Sequence, residues 1–409
     1  MKIAVYHNLP SGGGKRALYE MARRLAPNHE MDVFTLASAN HDYCDLRPFS
    51  RQHAITPFAP LPLAGSPFGR INQMIRLIDI QRRDAANKQV AALIDAGNYD
   101  VAFVHNCQYG QSPAVLKYLR TPSVYFCGEP PRYLYEPRPD RPYSNSSPRQ
   151  QMLDRVDPLP GLFQRTLKRV DIEYTRAASL VLANSAYSRE TMYRTYGIFS
   201  RVAYLGVDSQ LFRPLPADAM PPLPEEDYVI SVGSLIPNKG YAFLIESLGL
   251  LPQEIRPKLV IVSNYTDPQE RAFLDGLAGR CGVKVEYRSM VTDEELVRLY
   301  NQARLTVYAP VMEPFGFVPL ESMACGTPVV GVREAGVRES VLHEITGLQA
   351  ERDPRQFAQA VERLLRDPAR RAQYGEKGAA HVRECWQWEA CIRFIEGQLA
   401  EVAQAGRAK

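Results

Sequence analysis

The chain has 409 residues, of which 45% are hydrophobic and 23% are charged, the composition of an ordinary globular protein with two or three domains. No apolar run approaches the ~20 residues that cross a bilayer. The seven cysteines are scattered without metal-ligand spacing, so we expect reduced thiols, no metal site and a cytoplasmic protein. Because a predicted strand begins at Lys2, we also expect no signal peptide.

The net charge of +4 is unevenly divided along the chain. Residues 1–205 carry 26 lysines and arginines against 17 acidic residues, whereas residues 206–409 carry 23 against 28. A basic first half favours an anionic partner there, either a lipid phosphate or a membrane surface. A random division of charge is the alternative. We expect no nucleic-acid partner.

A glycine-rich loop, NLPSGGG, separates the first predicted strand, residues 2–6, from a helix with apolar residues at helical spacing. Such a loop between strand and helix can bind a phosphate. It matches neither the Walker A pattern nor the GxGxxG fingerprint. A plain flexible turn is the alternative interpretation.

Residues 65–95 form a basic amphipathic segment, with Ile71, Met74, Ile75 and Ile78 on one side. A helix of this kind can lie on a membrane surface. We favour the more common arrangement, in which the apolar stripe of the helix faces the sheet.

Two further predicted strands, residues 100–104 and 123–127, end at His105 and Gly128. In a parallel sheet these two ends share one edge. The following stretch, Glu129–Arg149, is rich in proline, arginine and tyrosine and shows no periodicity. It is long for a simple connection, which indicates a binding or lid loop. Its arginines are Arg132, Arg138, Arg141 and Arg149.

The second half begins after a proline-rich linker over residues 215–226. A predicted strand over residues 228–232 leads into GSLIPNKG, which places Lys239 in a strand-to-helix loop. An ammonium group in that position is a good point charge for a phosphate. A solvated residue at a helix start is the alternative.

The stretch TVYAPVMEPFGFVPLESMACGTPVVG, from Thr306 to Gly331, contains a strand, a loop, a helix start and a second strand. We expect the helix to begin near Pro314. The backbone N–H groups of Gly316 and its neighbours would then face a ligand. Glu313 and Glu321 have no cationic neighbour within five residues, so they resemble acceptors for hydroxyl groups more than a salt-bridge design. A solvated helix face is the alternative.

This spacing of Glu313 and Glu321, with Phe-Gly between them and a Gly-Thr-Pro-Val turn after them, resembles the signature of the retaining family 4 glycosyltransferases of the GT-B fold. The resemblance covers essentially the whole C-terminal half and, more weakly, the N-terminal half. It implies an α/β protein with two doubly wound Rossmann-like domains facing across a cleft. It places an N-terminal domain at residues 1–207 and a nucleotide-sugar domain at residues 208–385. A C-terminal helix, about residues 386–409, would cross back to the first domain.

The resemblance also implies an activity. The expected reaction moves a hexose from GDP-mannose or a UDP-hexose to a glycan or lipid-linked acceptor, with retention and without metal or other cofactor. The run PPRYLY after Glu129 is similar to a subset of bacterial mannosyltransferases of surface-polysaccharide synthesis. We expect an anionic acceptor and a peripheral contact of the basic domain with the inner face of the membrane.

Individual residues inherit expected roles from the resemblance. Glu313, Lys239 and His105 are the expected catalytic residues. Glu129, Arg132 and Tyr133 are expected to bind the acceptor. Ser234 stands where the family usually has an arginine, and Gly128-Glu129 where the mannosyltransferase subset often has His-Thr. The expected donor-binding residues are Gly12, Gly13, Ser234, Lys239, Arg288, Met290, Glu313, Phe315, Gly316, Phe317, Val318 and Glu321.

Two other functions remain open at this point. A nucleotide-sugar 2-epimerase has the same two domains but needs no acceptor loop, and the long stretch Glu129–Arg149 argues against it. A non-catalytic subunit that binds a nucleotide sugar is suggested by Ser234 and by Gly128-Glu129. Donor hydrolysis assays separate the three functions.

Overall fold

The computed structural model of the chain describes residues 1–65, 68–137, 139–144, 157–216 and 226–407. The chain divides into two compact units, and each contains one parallel sheet. Unit 1 comprises Met1–Pro137, Ser144–Tyr204 and Glu389–Lys409, and unit 2 comprises Arg138–Tyr143 and Leu205–Trp388. The last segment of the chain therefore belongs to unit 1, and a short piece of the stretch Glu129–Arg149 belongs to unit 2.

Within the described part of unit 1, seven parallel strands form a sheet in the order β3-β2-β1-β4-β5-β6-β7. Its inner strands are nearly continuous runs of buried residues, as expected where both faces of a parallel sheet are covered. The strands are β1 (Lys2–Asn8), β2 (Glu30–Leu36), β3 (His53–Thr56), β4 (Val101–Cys107), β5 (Ser123–Gly128), β6 (Leu180–Ala183) and β7 (Arg201–Val202). The helices are α1 (Gly13–Leu25), α2 (Asn72–Ala96), α3 (Val115–Tyr118), α4 (Arg132–Tyr135), α5 (Leu159–Ala177) and α6 (Ala186–Tyr196).

The described part of unit 2 has six parallel strands in the order β10-β9-β8-β11-β12-β13. The strands are β8 (Tyr228–Val232), β9 (Lys258–Val262), β10 (Val285–Arg288), β11 (Leu305–Tyr308), β12 (Val329–Val332) and β13 (Gly347–Ala350). The helices are α7 (Tyr241–Gly249), α8 (Pro268–Cys281), α9 (Asp293–Gln302), α10 (Phe317–Ala324), α11 (Val337–Ser340), α12 (Pro354–Leu365), α13 (Pro368–Cys385) and α14 (Trp388–Arg407), most of α14 belonging to unit 1.

Both sheets have the same winding, because the first strand of each unit lies inside the sheet and the fourth strand lies on its other side. Successive strands are therefore added on one side of β1 and then, from β4, on its other side in unit 1. The same change occurs between β8 and β11 in unit 2. In such sheets, ligands bind outside the carboxyl ends of the two strands at this switch point. The prediction of two doubly wound Rossmann-like units is confirmed.

Helices in unit 2 begin in two different ways. The side chains of Asp267, Asp353 and Asp367 accept backbone N–H bonds at the starts of α8, α12 and α13. In contrast, α7 and α10 follow Gly240 and Gly316, which have no side chain that could cap a helix. These two are the helices that follow the switch-point strands, so their first N–H groups are left without a side-chain cap where a ligand is expected.

The predicted orientation of the α2 stripe is wrong for three of its residues. Ile71, Met74 and Ile78 are 47%, 51% and 46% exposed, whereas Ile80 and Val90 farther along the helix are buried. The apolar face of the first turns of α2 is therefore open to solvent, and the helix becomes buried only farther along. In the described ranges, no helix is long and apolar enough to cross a membrane.

Candidate functional site

Lys239 and Glu313 meet at the switch point of unit 2. Lys239 lies in the turn after β8 and Glu313 in the loop after β11, and these strands are neighbours. The Nζ atom of Lys239 is 2.8 Å from the Oε2 atom of Glu313. The sequence has no cation within five residues of Glu313, and the structure brings one from a turn 74 residues earlier. Both side chains keep some exposure, 25% for the lysine and 15% for the glutamate.

One side of the Glu313 loop is fixed by backbone contact with the Lys239 turn. The N–H of Val311 donates to the carbonyl of Asn238 at 2.8 Å. Gly240, with a φ of +72°, passes so close that a Cβ there would lie 1.9 Å from the carbonyl oxygen of Ala309. Only glycine allows both this backbone conformation and this approach. The two loops that carry Lys239 and Glu313 are thus held together by main-chain atoms.

The other side of the Glu313 loop is fixed by Gly336 and Arg352. The N–H of Gly336 donates to the carbonyl of Glu313 at 2.9 Å. A Cβ at Gly336 would lie 2.3 Å from the carbonyl oxygen of Pro314. Arg352 donates to the carbonyls of Ala309 and Pro310 at 3.0 and 2.7 Å. These contacts involve main-chain atoms of the loop, so the groups that fix the loop do not engage the Glu313 carboxylate, which pairs with Lys239.

The guanidinium of Arg352 is itself held by a carboxylate. Its Nε and Nη2 atoms each donate to Glu334 at 2.7 Å, a bidentate pair. The same guanidinium lies over the ring of Phe243, 5.4 Å from the centroid. Glu334 and Phe243 therefore hold the Arg352 guanidinium in the position from which it contacts the loop.

The helix after Glu313 begins at Phe317, slightly later than the expected start near Pro314. Gly316 stands at its N-cap with a φ of +81°, a conformation that other residues rarely adopt. Phe315 is buried, and its ring packs on Phe317 and on Trp386 at centroid distances of 5.1 and 5.8 Å. With the Phe315 ring directed inward, the helix start presents backbone rather than side chain, as an anion site requires. Val318 lies in the first turn of the same helix.

Glu321 is not on a solvated helix face, so that alternative is wrong. It is only 8% exposed, and the hydroxyl of Tyr300 donates to its Oε2 atom at 3.2 Å. Burial, and then the Glu321 carboxylate, raise the pKa of Tyr300 well above its ordinary value. The tyrosine therefore stays protonated and orients the carboxylate. The donor-binding role expected of Glu321 stays a prediction.

The remaining donor-binding predictions in unit 2 lie along the same end of the sheet. Ser234 is partly exposed in the loop that follows β8. Arg288 ends the edge strand β10 and pairs with Glu286. Met290 follows with a φ of +55° and 78% exposure. Arg288 and Met290 are two strands away from β8, so a ligand would need to extend along the strand ends to contact both regions.

In unit 1, the glycine loop follows β1 at the second switch point. Gly12 has a φ of +139°, and in the part of the chain that the structure describes no atom lies within 4 Å of a Cβ built at Gly12 or Gly13. Space beside the start of α1 is therefore open.

The sequence patterns did not single out Lys15 as a candidate residue. Its side chain is buried, and its Nζ atom lies 3.0 Å from the Nε2 atom of His7. Burial lowers the pKa of Lys15 to about 8.

His105 lies inside unit 1 and not at its surface. It is 3% exposed on β4, and its ring packs on Phe103 and Phe126 at centroid distances of 4.5 and 5.5 Å. Burial, and then the charge of Lys15, lower the pKa of His105 to about 3, so the ring is neutral. The catalytic role expected of His105 stays a prediction.

The acceptor-binding predictions lie together after β5. Tyr133 is 46% exposed on α4. Arg132, on the same short helix, donates to Glu136 at 2.8 Å and lies 3.9 Å from Glu129. Of the other arginines predicted for this loop, Arg141 pairs with Glu270 in unit 2, and Arg138 and Arg149 lie outside the described residues.

Comparison with known proteins matches two family models to the chain. The model described as glycosyl transferases group 1 matches residues 219–381, and the model described as glycosyltransferase family 4 matches residues 11–211. Together they span most of both units.

Curated proteins that are similar to the chain are also named as glycosyltransferases. A D-inositol 3-phosphate glycosyltransferase of Acidothermus cellulolyticus is 31% identical over 267 residues, 59% of this chain and 56% of that protein. Human alpha-1,3/1,6-mannosyltransferase ALG2 is 36% identical over 109 residues, 27% of this chain and 26% of that protein. The chain thus spans between a quarter and just over half of the length of these relatives.

Solved structures share the fold over nearly the whole chain. Sucrose-phosphate synthase of Thermosynechococcus elongatus superposes with a TM-score of 0.72 at 23% identity, covering 100% of both chains. Anabaena HepE, in complex with UDP and glucose, gives a TM-score of 0.71 at 20% identity over 98% of this chain and 99% of that one. At these identities the likeness establishes the fold.

Replacing Gly240 with alanine tests the main-chain contact in the site. The new Cβ would collide with the carbonyl of Ala309 in a strained backbone conformation, so we expect a loss of about 2–4 kcal/mol in the free energy of unfolding. Urea unfolding followed by circular dichroism measures it. Gly279→Ala is the control, because Gly279 lies within α8 and a Cβ there would meet no neighbouring atom. Equal stability of the two variants would contradict the contact.

Proposed function

Because this chain belongs to the family 4 glycosyltransferases of the GT-B fold, we propose that it transfers a hexose from a nucleoside-diphosphate sugar to an acceptor, with retention at the anomeric carbon. The observation that carries the proposal is the Lys239–Glu313 pair at the switch point of unit 2. A carboxylate, an ammonium group and a helix N-terminus without a side-chain cap lie side by side there. This is the set of groups that a sugar diphosphate requires.

The proposed mechanism divides the donor between these groups. Glu313 accepts hydrogen bonds from sugar hydroxyls and thereby fixes the orientation of the ring. The backbone N–H groups at Gly316 and Phe317, with Val318 behind them, receive the diphosphate. Lys239 stabilises the negative charge that grows on the leaving diphosphate, where preorganised electrostatics have the greatest effect on rate. Attack by the acceptor on the face that the diphosphate leaves would give retention.

The rest of the donor would extend along the strand ends of unit 2. Glu321, oriented by Tyr300, accepts hydrogen bonds from the ribose. Arg288 and Met290 contact the base at the edge strand. One similar curated protein is a mannosyltransferase, and one similar structure contains UDP with glucose, so GDP-mannose and UDP-hexoses remain the donors to test.

We place the glycan or lipid-linked acceptor in unit 1, on the side of Glu129, Arg132 and Tyr133. The positive charge of residues 1–205 supports an anionic acceptor. The arginines of the stretch Glu129–Arg149 support an anionic acceptor less than the sequence suggested. Arg132 already pairs with Glu136, and Arg141 with Glu270.

Substitution of Glu313 by glutamine tests the site. The amide keeps the size of the side chain but loses the charge that holds Lys239 and orders the sugar hydroxyls, so we expect transfer to fall at least a hundredfold. Initial rates of donor hydrolysis and of transfer measure it, with the melting temperature as a check on folding. Glu344→Gln, in an exposed pair with Arg363, is the matched control. A Glu313 variant that kept half of its turnover would rule out this assignment.

The same assay separates the proposal from the two alternatives. A transferase slowly hydrolyses its donor, an epimerase interconverts the sugar nucleotide, and a binding subunit does neither. Thermal shifts with GDP-mannose, UDP-glucose, UDP-N-acetylglucosamine and GDP-fucose identify the donor. A ligand at a hundred times its dissociation constant stabilises the chain by about 2.7 kcal/mol.

Transfer is expected to survive chelation of divalent metals. The sequence contains no Asp-x-Asp motif, and Lys239 places a cation where the diphosphate would lie. Rates with and without excess EDTA measure the effect, and we expect a change of less than twofold. Loss of activity that manganese or magnesium restores would show that a metal, and not Lys239, neutralises the diphosphate.

We further propose that unit 1 contacts an anionic membrane through the exposed face of α2. Ile71, Met74 and Ile78 form an apolar stripe there, and α5 packs beside α2. Leu162, 52% exposed, and the exposed Arg165 share a face of α5 at helical spacing. Apolar side chains flanked by cations suit the surface of a bilayer with anionic headgroups.

Co-sedimentation of the whole chain with vesicles tests this surface. Binding is expected to phosphatidylglycerol vesicles and not to phosphatidylcholine vesicles, and it should weaken as salt screens charges beyond ~8 Å. Met74→Glu should reduce binding at least tenfold. Leu250→Glu, at a similarly exposed leucine of unit 2, should not. Equal binding by both variants would contradict the proposal.

A further inference from the structure

Glu270 is buried in a position where a glutamate is normally exposed. It is the third residue of α8, after the Asp267 cap and Pro268, so it belongs to the first turn of a surface helix. Nevertheless its exposure is 0%. The cover comes from residues 139–143, here called the strap.

The strap binds Glu270 through both carboxylate oxygens. Arg141 donates from Nε to Oε2 at 2.9 Å and from Nη2 to Oε1 at 3.0 Å, a bidentate pair. The hydroxyl of Tyr143 also donates to Oε2. Because the Glu270 side chain is 0% exposed, removing Arg141 would leave a buried carboxylate without a cation.

Aromatic contacts fix the strap further. The guanidinium of Arg141 lies over the ring of Phe273, 5.1 Å from its centroid, and the ring of Tyr143 meets the same phenylalanine edge-on at 6.2 Å. Arg141 also donates to the carbonyl of Asp140 at 3.0 Å. The conformation of the strap is therefore set by α8 and by its own backbone.

The strap also touches the turn that carries Lys239. The Nη2 atom of Arg141 lies 3.5 Å from the carbonyl oxygen of Pro237. Pro237 is the first residue of the short 3-10 turn Pro237–Lys239. Contacts therefore run from Glu270 through Arg141 to Pro237, at the start of the turn whose last residue is Lys239.

We propose that Arg141 is a positioning residue for the donor diphosphate, acting through the Pro237–Lys239 turn. The inference rests on the proposed function, because it assumes that Lys239 receives the diphosphate. The stretch of chain that contains Glu129, Arg132 and Tyr133 continues into the strap, which groups with unit 2 before the chain rejoins unit 1 at Ser144. Residues from the predicted acceptor loop thus help to hold the donor cation in place.

The test compares ligands that do and do not reach Lys239. Titration calorimetry on the whole chain gives dissociation constants for UDP and UMP, and for GDP and GMP. The ratio of monophosphate to diphosphate constants reports the contact with the outer phosphate. Arg141→Ala should lower this ratio about tenfold with little change for the monophosphate. A merely structural loss would weaken both ligands equally.

Further variants make the result decisive. Arg141→Lys keeps the charge but loses the bidentate geometry and the reach to Pro237, so it should also lower the ratio. It takes the place of the alanine variant if that variant does not fold. Arg363→Ala breaks an exposed arginine–glutamate pair of the same unit and should leave the ratio unchanged. In a Lys239→Met background, Arg141→Ala should have no additional effect on the ratio.

The outcomes distinguish this inference from the function on which it rests. If Lys239→Met lowers the ratio and neither Arg141 variant does, the positioning role is overturned and the proposed function stands. If Lys239→Met leaves the ratio unchanged, the role of Lys239 is overturned, and the inference falls with it.

Discussion

The candidate site depends on a contact between two stretches of main chain. Where the turn after β8 passes the loop after β11, the carbonyl of Ala309 occupies the space that a Cβ of Gly240 would need. The bond from Val311 to the carbonyl of Asn238 holds the two at that distance. Lys239 and Glu313 are brought together by this contact, because they lie one and four residues from Gly240 and Ala309, whose backbones meet. At the switch point two strands, β8 and β11, end side by side, and this packing brings the loops that follow them into contact.

Two of the ion pairs of unit 2 illustrate different uses of charge. Lys239 and Glu313 retain 25% and 15% exposure, and an ion pair that meets water contributes little to stability. Such a pair can exchange its partners for the phosphate and hydroxyl groups of a ligand. Arg141 and Glu270 are 12% and 0% exposed, and loss of one partner of a buried pair costs about 3–5 kcal/mol. The first pair suits chemistry, and the second suits the positioning of the turn beside it.

Sequence reasoning recovers what is local or periodic. Buried apolar runs predict the strands, glycine and proline predict the breaks, and the strand ends indicate Lys239 and Glu313. Contacts between distant segments leave no such pattern. The sequence shows no sign that Arg141 reaches Glu270, 129 residues away, or that Gly336 holds the Glu313 loop. The error at Met74 has a similar cause, since a helical stripe shows which residues share a face but not which other segments of the chain cover that face.

The positive charge available to a donor diphosphate comes from few side chains. Ser234 stands where the resembled family usually carries an arginine, and the guanidinium of Arg141, near the same turn, is neutralised by Glu270. Lys239 in turn shares its charge with Glu313. A helix N-terminus is equivalent to about half of a positive charge. Because Gly316 at the start of α10 has no side chain that could cap the helix, the helix start would supply, in the proposed site, charge that a second cation would otherwise provide. The glycine at this cap is therefore an electrostatic requirement of the proposed site as well as a conformational one.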